Sequence, residues 1–318
     1  MSLETETLLD RRRLKRHLSF WRIAAIVAVA AAIGAYLFSD DGAFSERRQI
    51  ARISLEGMIT ESREQLRLLE RVAESNNVSG VIVFVNSPGG TTTGGEALYE
   101  SLRRLSAKKP VVAQFGTVAA SAAYIAGLGT DHIVARGNSI TGSVGVIMQW
   151  PEVSGLLDKL GVKMNEVKSG PLKATPSPFQ PLDEAGREVT ESMIAEGQRW
   201  FLGLVRERRQ INTAEIPGLE QGRVFSGREA VTYKLVDEIG GEQEAVRWLE
   251  GRGVQKDLRI VDWKVGGRDW AWSGAVSGIV RLLTGQIGGE LATLLAKDGP
   301  LGSFALDGLV SVWQPSRN

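Results

Sequence analysis

A serine, a glycine-rich turn and a lysine are the parts of this chain best equipped for covalent chemistry. Ser121 stands inside the run Val111 to Gly127, which starts β-branched and then turns at Gly116 into almost nothing but small residues. Val111 to Gly116 reads as a buried strand, and the alanine-rich stretch after it reads as the start of a helix. A serine at such a junction can be approached closely by another backbone. It can also present its hydroxyl to a substrate while neighbouring N–H groups point the same way. The same pattern suits a small-residue helix packed in a core, with Ser121 bonding a carbonyl one turn back.

The second feature lies upstream. The apolar run Val78 to Val85 leads into Asn86-Ser-Pro-Gly-Gly-Thr-Thr-Thr-Gly-Gly95, and Leu98, Leu102 and Leu105 then mark one face of a helix. A strand, a glycine turn and a helix start collect unpaired N–H groups at one place. The turn has neither Gly-x-Gly-x-x-Gly spacing nor a Gly-Lys-Ser/Thr ending, so dinucleotide and P-loop readings fit poorly. An oxyanion hole for acyl transfer fits better; a turn that only reverses the chain is the plain alternative.

A nucleophilic serine needs a base, and histidine is scarce. The chain has two histidines and no cysteine, which rules out thiol catalysis, disulfides and cysteine-held metals. His17 belongs to a basic N-terminal run, and His132 in Asp131-His-Ile-Val134 reads as a strand-end or solvated residue. Lys173, in Lys168-Ser-Gly-Pro-Leu-Lys-Ala-Thr-Pro-Ser-Pro178, has no carboxylate close by in sequence. Burial can turn a lysine into a general base. Moving it from about 10.4 towards 7 costs about 4–5 kcal/mol, which the fold must supply. A solvated loop lysine is the ordinary alternative.

The elements around these residues repeat as strand, turn and helix, which predicts an α/β domain with a largely parallel sheet. Strands are expected at Ile50 to Ile59, Val78 to Val85, Val111 to Gly116, His132 to Arg136 and Val162 to Val167. Helices are expected around Leu66 to Leu69, Leu98 to Leu105, Val153 to Leu160 and Leu182 to Gln210. A capping box of Ser226 and Glu229 opens another, and Glu242 to Glu250 forms the last.

At 318 residues with 43% hydrophobic and 24% charged residues, the composition is that of an ordinary globular protein. A net charge of +1 and the lack of a basic patch with interleaved aromatics argue against nucleic acid. Nothing in the sequence calls for a cofactor or a metal. Residues 1–22 are basic, with Arg11, Arg12, Arg13, Lys15, Arg16 and Arg22, and Ile23 to Phe38 is uninterruptedly apolar. At about 1.5 Å per residue that run spans about 24 Å, enough to cross a bilayer once Leu18 to Trp21 are added and Arg22 snorkels. The expectation is an uncleaved signal anchor over 23–38, with the basic flank cytoplasmic and the rest exported. A linker follows at 39–49, a catalytic domain at 50–250, and a tryptophan-rich extension at 251–318. The extension carries amphipathic patterns around Val276 to Leu283 and Ile287 to Leu295. Membrane-surface contact, subunit contact and packing within the chain all suit it.

Five segments occur in one order: Asn86-Ser-Pro-Gly-Gly90, Ala119-Ala-Ser-Ala-Ala-Tyr124, Thr141-Gly-Ser-Val-Gly-Val146, Ser169-Gly-Pro-Leu-Lys173 and Gly222-Arg-Val-Phe-Ser-Gly-Arg228. Together they resemble the signal peptide peptidase A family of Ser-Lys membrane proteases, whose fold is shared with Clp protease and crotonase. The resemblance covers about Ile50 to Glu250 and includes the N-terminal anchor. It implies Ser121 as nucleophile, Lys173 as general base and Ser143 as the residue orienting the lysine amine. It also implies an oxyanion hole from Gly89 or Gly90 with the N–H of Ala122. The separation 173 − 121 = 52 matches the short, single-domain branch. Ser121-Ala-Ala-Tyr124 departs from the Ser-Gly-Gly-Tyr common in the family, which implies a narrower site.

By resemblance, the implied activity is degradation of cleaved signal peptides and similar apolar peptides. It would take place on the outer, periplasmic side of a bacterial inner membrane, by a homo-oligomer. Two other readings share the fold: a crotonase-like acyl-thioester enzyme, which has little use for an export anchor or a Ser-Lys pair, and a catalytically inactive membrane scaffold, which would not need to keep both residues.

Overall fold

The computed structural model describes Trp21, residues 48–265 and the backbone of residues 310–312. The expected anchor at 23–38 and the amphipathic patterns of 276–295 lie outside the described residues. The chain divides after Arg48 into two compact units, and every element named here belongs to the second. No described helix is long and apolar enough to cross a membrane.

Among the described residues a nine-stranded sheet carries the fold. Its path runs β6 (Val224–Ser226), β5 (Ile140–Gly142), β3 (Val111–Ala120), β2 (Val78–Thr91), β1 (Gln49–Ile59) and β8 (Ile260–Asp262). Off this path, β4 (His132–Ala135) pairs with β3 and with β7 (Glu238–Ile239), and β9 (Val310–Val312) pairs with β2. Among the described residues all pairings are parallel except β2 with β9 and β5 with β6. The crossovers are helical: α1 (Arg63–Glu74), α2 (Thr92–Ser106) and α3 (Ala122–Leu128) follow the first three strands. Expectation and structure agree here, because continuous Val/Ile runs are what a sheet covered on both faces requires.

One face of the sheet packs against α1, α2 and α3. Ile53, Leu55, Val83, Val85, Ala113 and Phe115 meet Leu68, Leu69, Leu102 and the wholly buried α3 there. On the other face Ile50, Ile82, Val112 and Val134 receive Ala245 and Leu249 of α7 (Glu242–Gly251). Each strand therefore alternates between two buried layers. The long α5 (Glu184–Arg209) adds Phe201, Leu202, Leu204 and Val205 to the first layer. The capping box at Ser226 and Glu229 opens α6 (Gly227–Thr232) as read.

Three differences from the sequence reading have physical causes. β2 does not stop at Val85 but stays extended to Thr91, so the glycine segment is a strand end. β1 holds it there, pairing on through Ile59 opposite Gly90. That approach needs glycine: a Cβ on Gly90 would lie 1.8 Å from the Ile59 carbonyl oxygen. The second difference is Val162 to Val167, which forms no strand. Its β-branched residues pair with no strand among the described residues, and Val167 is fully exposed at 103%. Third, the sheet does not end with residue 250. Val254 enters the core, β8 pairs with β1, and β9 pairs with β2.

Candidate active site

Ser121 sits where β3 ends and α3 begins. Its φ of 60° and ψ of −122° lie in a region that non-glycine residues rarely occupy. The strained junction is held from both sides. Ser121 N–H donates to the Gly142 carbonyl at 2.9 Å, and its own carbonyl accepts from the Ile125 N–H at 3.0 Å. The residue is 1% exposed, with Ala119, Ala120, Ala122 and Ala123 buried around it. A sharp strand-to-helix turn with a serine at its apex is the backbone form of a nucleophile elbow. Tyr124, one turn on, anchors the helix by donating from its hydroxyl to the Leu235 carbonyl at 2.8 Å.

β3 reaches that turn by changing partners. It pairs with β2 in register from Val81↔Val111 to Val85↔Phe115, and then once more at Ser87↔Ala119. From Val118 onward it pairs with β5, as Val118↔Ile140, Ala119↔Thr141 and Ala120↔Gly142. Thr141 Oγ1 donates to the Ala119 carbonyl at 2.7 Å, and Ser139 Oγ donates to the Gly116 carbonyl at 2.5 Å. These bonds fix the last strand residues before Ser121.

The pairing Ser87↔Ala119 brings the Gly89-Gly90 strand end alongside this turn. The Gly89 N–H is accepted by Ser87 Oγ at 3.1 Å. Ala122 is the first residue of α3, where backbone N–H groups have no partner within the helix. β1 occupies one edge of β2 as far as Ile59↔Gly90. β9 pairs antiparallel with Gly89, Gly90 and Thr91, which places it on the opposite edge, the one β3 leaves after Ala119.

The residues expected to assist are placed less uniformly. Ser143 is buried, at φ 51°, and its N–H donates to the Arg223 carbonyl at 2.9 Å. Lys173 is exposed, in a loop where its N–H donates to the Gly170 carbonyl at 3.1 Å and the next residue, Ala174, has φ 61°. Among the described residues the Lys173 ammonium has no hydrogen bond or ion pair, and Ser143 Oγ has none to it. The desolvation that a lysine base needs is therefore not supplied by the described part of one chain. Six large apolar residues of the same stretch are exposed: Leu156, Leu160, Val162, Met164, Val167 and Leu172.

His132 is no substitute. It opens β4 opposite Val112, nine residues before Ser121 on β3. At about 3.3 Å per residue, less the bulge, that is some 20–30 Å from the nucleophile. There it stacks on Trp248 and faces Asp237 and Glu238. No group of three metal-ligating side chains occurs among the described residues.

Comparison with known proteins settles the lineage. A candidate protease of Methanocaldococcus jannaschii is 34% identical over 223 residues, covering 70% of this chain and 68% of that protein. A candidate signal peptide peptidase SppA of Enterococcus faecium is 31% identical over 234 residues, 69% of this chain and 68% of its own. The profile of peptidase family S49 matches residues 103–255, and that of Clp protease matches residues 46–138. The chain belongs to peptidase family S49. Protease 4 of Haemophilus influenzae, 34% identical over 247 residues, is longer, and this chain accounts for 40% of it. The S49 match includes Ser121, Ser143 and Lys173, and the Clp protease match takes in the Gly89-Gly90 strand end and Ser121. Sequence reasoning marks Asn86 and Thr141 only as the starts of two of the five segments and passes over Ser139, and it misses that their side chains hold the backbone leading to Ser121.

Proposed function

We propose that this S49 peptidase is a membrane-anchored serine endopeptidase acting on apolar peptides such as released signal peptides. Ser121 is the nucleophile and Lys173 the general base. The observation that carries the reading is the buried, positive-φ Ser121 at the strand-to-helix turn, beside the Gly89-Gly90 strand end. In the first step neutral Lys173 takes the Ser121 hydroxyl proton as Oγ attacks a peptide carbonyl. N–H groups of Ala122 and of Gly90, or of Gly89 once it gives up its bond to Ser87 Oγ, receive the oxyanion. The lysine returns the proton to the leaving amine, and water then releases the acyl group by the same proton path. Ser143 orients the lysine amine.

An extended peptide suits this cleft. The chain's own residues 310–312 lie antiparallel along Gly89 to Thr91, which is strand addition to an open edge. Apolar substrates fit an enzyme held at a membrane by residues 23–38, with its catalytic domain on the outer face.

The exposure of Lys173 adds an oligomer to the proposal. A second copy packed over Leu156 to Leu172 would bury that apolar stretch and shield the lysine from water, as a lysine base requires. The test is to purify the full chain with Ser121→Ala and with Lys173→Ala and to assay cleavage of an apolar fluorogenic peptide. Both variants should lose at least about a thousandfold in kcat while keeping the wild-type assembly size. Wild-type activity in Ser121→Ala would refute the assignment of the nucleophile, and wild-type activity in Lys173→Ala that of the base.

A further inference from the structure

The route into Ser121 contains a device that the serine chemistry leaves unused. Between the pairs Val85↔Phe115 and Ser87↔Ala119, β2 advances two residues and β3 advances four. β3 thus carries two extra residues in a bulge over Gly116, Thr117 and Val118, at the point where it leaves β2 for β5. A bulge bends and twists its strand, and it leaves ladder groups without their strand partners. Here one side chain gathers them. Asn86 Oδ1 accepts from the Thr117 N–H at 3.1 Å and from the Val118 N–H at 3.2 Å.

Asn86 is well placed for this role. It lies on β2 between the two residues that pair with β3, so its carbonyl oxygen spans the gap that the bulge opens. The β3 residue beneath it is Gly116, where a Cβ would lie 3.1 Å from Asn86 Cβ and 3.2 Å from its Cγ. A side chain at 116 would push the amide off the two N–H groups. Ser139 closes the other side, donating to the Gly116 carbonyl while accepting from the Arg136 N–H at 3.0 Å.

We infer that Asn86 is a positioning residue for Ser121. By accepting both bulge amides it sets the bend of β3, and through the three residues Ala119, Ala120 and Ser121 it fixes where the serine hydroxyl stands relative to the Gly89-Gly90 strand end. The inference rests on Ser121 being the nucleophile. Thr117 is exposed, so water can accept from these amides when Asn86 is truncated. The fold survives; the aim of the turn is what changes. Misplacement of a reacting group by about 1 Å costs on the order of a hundredfold in rate.

The experiment compares Asn86→Ala with Asn86→Asp in the full-length protein, using the same fluorogenic peptide and hydrogen exchange at Thr117 and Val118. A carboxylate keeps the double acceptor, so Asn86→Asp should stay within about threefold of wild-type kcat, whereas Asn86→Ala should lose about ten- to a hundredfold. KM should be nearly unchanged in both, and Asn86→Ala should melt close to wild type while the two amides lose protection. The inference is overturned if Asn86→Ala keeps wild-type kcat, if Asn86→Asp loses as much as Asn86→Ala, or if the two amides stay protected in Asn86→Ala. Failure of the nucleophile assignment is seen separately, as activity persisting in Ser121→Ala. The exchange measurement reads the acceptor role whatever the catalytic result.

Discussion

The turn at Ser121 and the stretch from Leu156 to Lys173 belong to one proposed reaction but are built by opposite means. Around Ser121 the side chains of Asn86, Ser139 and Thr141 hold the strand before it, and Gly142 holds its own N–H. The alanines flanking it are wholly buried. In the lysine stretch the chain is irregular beyond the short α4 (Ser154–Lys159), and its apolar residues face outward, Leu160 at 67% and Val167 at 103% exposed. Among the described residues the Ser121 turn is held on every side, while Lys173 is exposed. On the proposed mechanism the contrast is a division of labour: local structure would aim the nucleophile, and the base would wait for assembly to dry its surroundings.

That division can be broken in a graded way. The largest effect is expected from charging the exposed apolar stretch. Leu160→Asp together with Val167→Asp should dissociate the proposed oligomer and cut activity per chain by about ten- to a hundredfold, since a general base contributes on the order of 10² or more. Analytical ultracentrifugation and the peptide assay read the two losses together. Because both residues are exposed, the melting temperature of the separated chain should hardly move. Full activity in a confirmed monomer would show that one chain suffices.

A smaller effect tests the other half of the comparison. Tyr124→Phe removes the hydroxyl that reaches Leu235 and leaves a buried carbonyl without its donor. It should cost about 1–3 kcal/mol in denaturant unfolding while leaving assembly intact. The Tyr124 hydroxyl is wholly buried, which pushes its pKa well above the ordinary tyrosine value, so the bond persists through the working range.

The smallest effect lies at the sheet edge. Arg52 bonds Asp262 at 2.6 Å and Glu242 at 2.5 Å, which ties β8 and α7 to β1. The Arg52 bond holds the Asp262 carboxyl below its usual range. A depressed folded-state value means that stability is fully present above the ordinary carboxylate pKa near 4 and is lost as pH falls through the lowered one. These side chains are about a third to nearly half exposed, so solvent screens the pair. Asp262→Asn should cost under about 1 kcal/mol at neutral pH. The difference from wild type should vanish in acid, as urea titrations at the two pH values will show.

Much of this architecture is legible in the sequence. The order of strand, glycine segment and helix is written in uninterrupted Val/Ile runs and in leucines spaced three and four apart, because burial on two faces leaves no freedom in those choices. Ser121 was legible as a junction for the same reason: only small residues fit where α3 meets the sheet. The bulge was not legible. Gly116-Thr-Val118 looks like strand continuing into turn, and its two extra residues appear only against the β2 register. Val162 to Val167 misled in the opposite direction, since β-branched residues favour a strand but cannot supply the neighbour it pairs with. The sheet's use of Ile260 to Asp262 and Val310 to Val312 was hidden too, because three-residue strands leave almost no periodicity.

The backbone angles of Ser121 carry an evolutionary consequence. Glycine adopts φ 60°, ψ −122° freely, whereas a serine there bears a conformational cost of about 1–3 kcal/mol. The protein is therefore less stable than it would be with glycine at this position, and if Ser121 is the proposed nucleophile, selection for turnover is what would keep the serine in place. A lineage released from that selection would find Ser121→Gly among the easiest stabilising exchanges open to it.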